Sequence, residues 1–192
     1  MQELILIGGG GHCKSCIDVI EQTKKYNIVG ILDTQDKIGQ DVLGYKIIGA
    51  DVDIEKYANQ NCHFLITLGQ IESPNLRIKI FEKVKKCGAV LETIISPLAY
   101  VSKHAKIGEG TIIMHNALIN AGVEIGKNCT INSKALIEHD CKIEDNCHIS
   151  ICATLAGSVV VNKNSFIGAN ATVVQGVEII ENSFIKAGSL VK

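Results

Sequence analysis

The stretch ALIEHDCKIEDNCHIS, residues 135–150, places His139 and His148 among acids and beside Cys141 and Cys147. Imidazoles and thiolates together could ligate a metal ion. An imidazole alone, titrating near ~6.5 in free solution, can take and return a proton near neutral pH. The same residues could also simply decorate a solvated surface. A second stretch with chemical content is LILIGGGGHCKSC near the start. Its glycine turn, Gly8–Gly11, lets backbone N–H groups approach a phosphate at the start of a helix. Asp33, at the end of the next apolar run, suits a ribose hydroxyl or a base edge. Gly8 and Gly10 fit a dinucleotide fingerprint, but Cys13 stands where its third glycine would be. Half a dinucleotide, a nucleoside diphosphate, fits this short unit better. Cys13 and Cys16 have C-x-x-C spacing, yet they fall on a helix face without a redox-domain context and read as packing residues.

The elements that position the first stretch follow from a period of six. From Ile95 to Val191 an aliphatic residue occupies every sixth position without a slip, and the position four residues later holds small or β-branched side chains such as Ala117, Cys129, Cys141 and Ala153. A helix repeats at 3.6 and a strand at 2. A strict six is the mark of a hexapeptide β-helix, in which three hexads close one triangular coil, giving about five coils here. Cys129, Cys141 and Cys147 occupy the small interior slot and act as compact hydrophobes. His139 and His148 fall in outward or corner slots that the core does not need. Period alone does not give the hand of the coil.

Residues 1–94 lack the hexad. The reading is a strand over Leu4–Ile7, a helix with Cys16, Ile17 and Ile20 on one face, a strand ending at Asp33, a third strand over HFLITLG ending at Gly69, and a helix over NLRIKIFEKVKK stopped by Gly88. Strand and helix alternate, so a small parallel sheet is expected. The division is a Rossmann-like α/β domain, 1–94, and a β-helix domain, 95–192. A formal charge of −1, from 19 Lys+Arg against 20 Asp+Glu, argues against a nucleic acid or an anionic membrane as partner. The apolar run LILIG is too short for a signal core or a spanning helix, and no basic segment precedes it. A cytoplasmic location with reduced thiols is the expectation, so the eight cysteines are not a disulfide framework. Aromatic residues make up only 4% and Trp is absent, so small and β-branched side chains must fill the core.

Together, GGGGH, the strand ending in Asp33, the LG of the third strand and a hexapeptide helix carrying IEHDCKIEDNCHIS resemble the bacterial sugar acyltransferases. That family is typified by the UDP-4-amino-sugar (bacillosamine) N-acetyltransferases and the sialic acid O-acetyltransferases. The resemblance implies a left-handed β-helix, a homotrimer, acetyl-CoA between adjacent β-helices as co-substrate, no metal, and a nucleotide-activated amino sugar held by the N-terminal domain. By the same likeness His139 is the general base and Asp140 the acid that follows it. Asn132 and His148 line the acceptor or thioester end, and the backbone N–H of Gly157 faces the thioester oxygen. Gly8, Gly10, Gly11, His12, Asp33, Gly69 and Gln70 match the nucleotide-sugar pocket. Adjacent residues of a strand point to opposite faces, so Asp140 can orient His139 only if the chain bends at a prism corner there. Cys152 and Lys186 depart from the family, where glycine is common at both positions. The chain also ends at GSLVK, without the family's Gly-x-Pro-Ala tail.

The expected reaction is N-acetylation of a UDP-linked amino sugar, with O-acetylation of a sialic-acid-like sugar as the alternative. Two other classes use the same scaffold: a zinc enzyme of the γ-carbonic-anhydrase type, whose histidine spacing His115, His139 and His148 do not match, and a non-catalytic trimeric ligand-binding protein. A positioned base contributes roughly 10²–10⁴-fold to such a transfer. An aimed N–H at the developing oxyanion adds about 2.7–4 kcal/mol.

Overall fold

The computed structural model describes residues 1–192. They form two compact units, Met1–Gly69 with Asn75–Glu92, and Gln70–Pro74 with Thr93–Lys192. Thr93 and Ile94 belong to the second unit because Ile94–Ile95 already pairs with Ile112–Ile113 as a coil strand.

The first unit runs β1 (Gln2–Ile7), α1 (Gly11–Thr23), β2 (Tyr26–Asp33), β3 (Asp41–Val42), β4 (Tyr45–Ala50), α2 (Ile54–Ala58), β5 (His63–Ile66) and α3 (Asn75–Lys86). Its sheet has the order β3-β4-β2-β1-β5. All pairs are parallel except the β3–β4 hairpin. Leu4 to Ile7 are buried without alternation, as a strand covered on both faces requires. Helix α1 covers the sheet with Cys13, Cys16, Ile17, Val19 and Ile20. Burial pushes the Cys13 thiol up to about 11 and raises Cys16 further, so this C-x-x-C pair is packing and carries no thiolate at neutral pH. Helix α3 ends on Lys83, Lys85 and Lys86, a favourable last turn, and Gly88 follows in the left-handed region at φ 70°.

Three elements were not anticipated. β3 and β4 form a hairpin whose two turn residues, Leu43 and Gly44, have φ of 51° and 87°. That is the backbone a two-residue hairpin loop demands, although leucine does not advertise it. The short α2 was also unforeseen. The third apolar run stops as a strand at Ile66 rather than Gly69, because the buried Arg77 guanidinium bonds the carbonyls of Ile66 and Leu68 at 3.0 and 2.8 Å and draws the chain out of the ladder.

The second unit is a parallel β-helix of two-residue strands from Ile94–Ile95 to Leu190–Val191, arranged as sheets of six, five and six strands. Ile119, Ile137 and Leu155 stack in register, one coil apart. The aliphatic residues of the central coils are at most 4% exposed, and the small register from Ala117 to Ala171 at most 1%. Ile95, in the first coil, is 39% exposed because no earlier coil covers it. The buried thiols donate to carbonyls of the next coil, Cys129 to Glu144 at 3.1 Å, Cys141 to Ala156 at 3.1 Å and Cys147 to Asn162 at 3.2 Å.

The prism turns at a third register. From Gly110 to Gly188 every sixth residue has φ between 55° and 76°. Glycine and asparagine fill most of these corners, since both enter the left-handed region at low cost. On one edge Asn128, Asn146, Asn164 and Asn182 form a ladder of side-chain amides at 2.9, 3.1 and 3.2 Å. Lys134, Cys152 and Ser158 accept the same backbone without those side chains. Cys152, one of the two departures from the family pattern, thus falls on a corner.

Candidate functional site

His139 and Asp140 sit on a corner. Asp140 has φ 60°, so the chain turns between them and both side chains leave the prism on the same side. The Asp140 carboxylate accepts a hydrogen bond from His139 Nδ1 at 2.9 Å, with the two side chains 66% and 54% exposed. With Nδ1 protonated toward the carboxylate, Nε2 carries the lone pair. The ring lies over Gly157 of the next coil: a Cβ on Gly157 would stand 2.7 Å from both Cε1 and Nε2. Gly157 is buried, and no acceptor in the chain takes its N–H. Glu138 Oε2 receives the His139 N–H at 3.3 Å and the Asn120 amide at 2.8 Å, which steadies the approach to the corner.

His148 lies on the outer side of its coil, one residue before the inward-facing Ile149, but it is not solvent-exposed there. It is 6% exposed, because the segment Gln70–Pro74 packs on the β-helix. Its Nδ1 donates to the Gln70 carbonyl at 2.6 Å, and its ring meets Phe166 edge-on at 5.1 Å between centroids. Nε2 faces Asn132 Nδ2 at 3.3 Å, while Asn132 Oδ1 accepts the Ser133 N–H at 2.8 Å. Asn132, half-buried, and His148, buried, are therefore brought together as one polar pair. Gln70 is 3% exposed and its amide donates to the Asn146 carbonyl at 2.9 Å. Sequence reasoning missed this strap because no periodic signal marks residues 70–74. His115 pairs with Ser96 Oγ at 2.6 Å, and no three His, Cys, Asp or Glu side chains of the chain converge as a metal site.

A concavity of about 420 Å³ in the second unit lies on the five-stranded face among Lys106, Glu124, Gly126, Lys142 and Lys163, and does not include His139.

In the first unit the chain passes β1, β2 and β4 on one side and returns to β5 on the other, so the switch point lies at the ends of β1 and β5. Gly8 occupies it at φ 107°, and a Cβ there would stand 2.6 Å from Leu68 Cδ2. A Cβ on Gly10 or Gly11 would meet nothing, and α1 begins without a side-chain cap. The first turn thus offers N–H groups to an anion. His12 lies next to Gly69, whose added Cβ would sit 3.9 Å from His12 Cβ. Ile7, Gly8, Leu32, Asp33, Thr34 and Leu68 border a cavity of about 110 Å³ at this edge.

Asp33 is not a free carboxylate. It accepts N–H groups from Gly9 at 2.6 Å and Thr34 at 2.7 Å, and Lys37 Nζ lies 3.0 Å away, with only 8% of its side chain exposed. Burial works to raise its pKa, but those N–H bonds and the lysine outweigh it and hold the group below the usual carboxylate range. A depressed carboxylate stabilises the fold above its unfolded pKa of ~3.9, and that contribution disappears as pH falls through the folded value. Asp33→Asn is therefore expected to lower stability by about 1–3 kcal/mol at neutral pH. The difference from the parent should shrink in urea titrations below pH ~4. A gap that acid leaves unchanged contradicts this brace.

Comparison with known proteins adds to this geometry. Residues 3–84 match the PglD N-terminal domain family, and residues 104–139, 122–157 and 140–175 match the bacterial transferase hexapeptide (six repeats). No curated protein matches significantly. GDP-perosamine N-acetyltransferase from Caulobacter crescentus, solved as a histidine-to-alanine variant with CoA and GDP-perosamine, is 30% identical. It superposes with TM-score 0.93 over 100% of this chain and 89% of that one. The chain belongs to the bacterial hexapeptide-repeat sugar acyltransferases. The acetyltransferase domain of PglB from Neisseria gonorrhoeae is similar at 26% identity, TM-score 0.91, over 100% of this chain and 92% of that one. WeeI from Acinetobacter baumannii, at 18% identity and TM-score 0.56 over 100% of this chain and 97% of that one, shares the fold. As a sugar acyltransferase of this family the chain has a Rossmann-like α/β unit followed by a left-handed parallel β-helix. No helix of this acyltransferase is long and apolar enough to cross a membrane.

Proposed function

We propose that the chain transfers the acetyl group of acetyl-CoA to the amino group of a nucleoside-diphosphate-linked amino sugar, with His139 as general base. The observation that carries this reading is the corner at 139–140. There the imidazole is oriented by Asp140 at 2.9 Å and its ring lies against Gly157, whose backbone N–H has no acceptor in the chain. The amine attacks the thioester carbonyl, and a C–N bond forms as the carbonyl π electrons move to oxygen. The Gly157 N–H faces that oxyanion. Nε2 takes the proton from the attacking nitrogen. Collapse breaks the C–S bond, and the imidazolium returns the proton to the departing CoA sulfur. Neither a covalent enzyme intermediate nor a resident metal takes part.

Two solved relatives support the substrate class, since both hold CoA and GDP-perosamine and both carry a replaced histidine. The sequence resemblance favours a UDP-linked acceptor. The glycine loop and the uncapped start of α1 suit the diphosphate of either nucleotide. His139 stands exposed at a corner, which suits a cleft completed by an adjacent copy, and by the family resemblance we take acetyl-CoA to lie between neighbouring β-helices of a homotrimer in the cytoplasm. The test combines acetyl-CoA with UDP- and GDP-linked amino sugars, the free amino sugars and a sialic acid, reading thiol release and the mass of the product. N-acetylation of a nucleotide-linked amino sugar is the expected result. Thiol release with none of them, or only O-acetylation of the sialic acid, overturns it.

A further inference from the structure

We infer that Gly122 is a positioning residue for the transfer: its missing side chain leaves the notch in which the Asp140 carboxylate sits to orient His139. This deepens the reading above and rests on it. Gly122 occupies the corner one coil before Asp140, on the same edge of the prism. A Cβ there would overlap Asp140 Oδ1 and stand 3.4 Å from its Cγ. The overlapped atom is the far end of a 66% exposed side chain. Crowding is therefore relieved by rotating the carboxylate, which leaves the backbone in place and draws Oδ2 away from His139 Nδ1. On the other side of the dyad, Gly157 gives room to the imidazole ring. Asp140 and His139 thus lean on glycines of opposite neighbouring coils, and each glycine sets one side chain.

Backbone strain does not account for glycine at 122. Asp140 and Ser158, on the same edge, hold φ of 60° and 59° with side chains. The same edge also supplies a control. Gly176 has φ 73°, close to the 76° of Gly122, and a Cβ on it would meet nothing. Alanine at either position carries the same left-handed strain, and only at 122 does it touch Asp140.

The experiment compares Gly122→Ala, Gly176→Ala, Asp140→Asn and the Gly122→Ala/Asp140→Asn double variant in steady-state kinetics, with nitrogen NMR of the His139 ring. Gly122→Ala is expected to lower kcat by about ten-fold with little change in either KM, the cost of a misplaced catalytic group. Its ring spectrum should lose the single tautomer protonated at Nδ1. Gly176→Ala should keep parental kcat and the parental ring spectrum. The double variant should match Asp140→Asn alone, because the glycine acts only through that carboxylate. Equal effects of the two glycine variants, or additive losses in the double variant, overturn the inference. If Asp140→Asn keeps full activity, the orienting role of Asp140 fails and this inference with it. If Asp140→Asn is impaired and Gly122→Ala is not, only the inference about Gly122 fails.

Discussion

His139→Ala is expected to lower acetyl transfer by about 10²–10⁴-fold while the protein still binds acetyl-CoA and the sugar nucleotide. The ring is 54% exposed and its deletion removes no core contact, so folding should be untouched. The lost step is removal of the proton from the attacking amine. Since that proton moves only as the C–N bond forms, the loss should fall on kcat, with KM little altered. Thiol release followed with a colorimetric reagent, together with calorimetric titration of each ligand, checks both halves. Full activity in the variant refutes the base assignment. A loss confined to binding assigns His139 to substrate recognition instead. Residual turnover is expected from the Gly157 N–H and from holding the two substrates together.

Ile143→Ala should destabilise the β-helix by about 2–5 kcal/mol. Ile143 is 1% exposed and stacks in register between Ile125 and Val161, so neighbouring coils cannot close over the missing methyls without losing their own pairing. A stacked-coil protein is nearly one-dimensional, each coil contacting only its neighbours. The cavity should therefore weaken the junction between the coils before and after it. Hydrogen exchange is expected to show the C-terminal coils opening separately from the rest. A stability loss under about 1 kcal/mol, or uniform exchange across the chain, would mean that coil stacking is not the source of stability.

Much of the architecture was legible because the β-helix repeats. An aliphatic residue every six positions and a small one four later admit few other folds, and both registers are buried as read. The corner register, the asparagines, glycines and Asp140 at left-handed φ, was equally present in the letters and was overlooked. It would have indicated in advance that the chain bends between His139 and Asp140. In the first unit β1, α1 and β2 were clear from apolar runs and the glycine turn. The β3–β4 hairpin was not, because its turn carries a leucine in the left-handed region.

By itself, then, the sequence determined the repeat, the packing role of Cys129, Cys141 and Cys147, the glycine turn at a helix start, and which residues could do chemistry. These properties depend on residue type and spacing along one chain. Tertiary structure decided which groups meet. It buried His148 beneath Gln70, tied Asp33, whose place in the sequence suits a ribose hydroxyl or a base edge, to the N–H of Gly9, and set Gly122 and Gly157 against Asp140 and His139 from the coils on either side. Those outcomes depend on residues that lie far apart in sequence and become neighbours only when the strands of the first unit pair and the coils of the second stack.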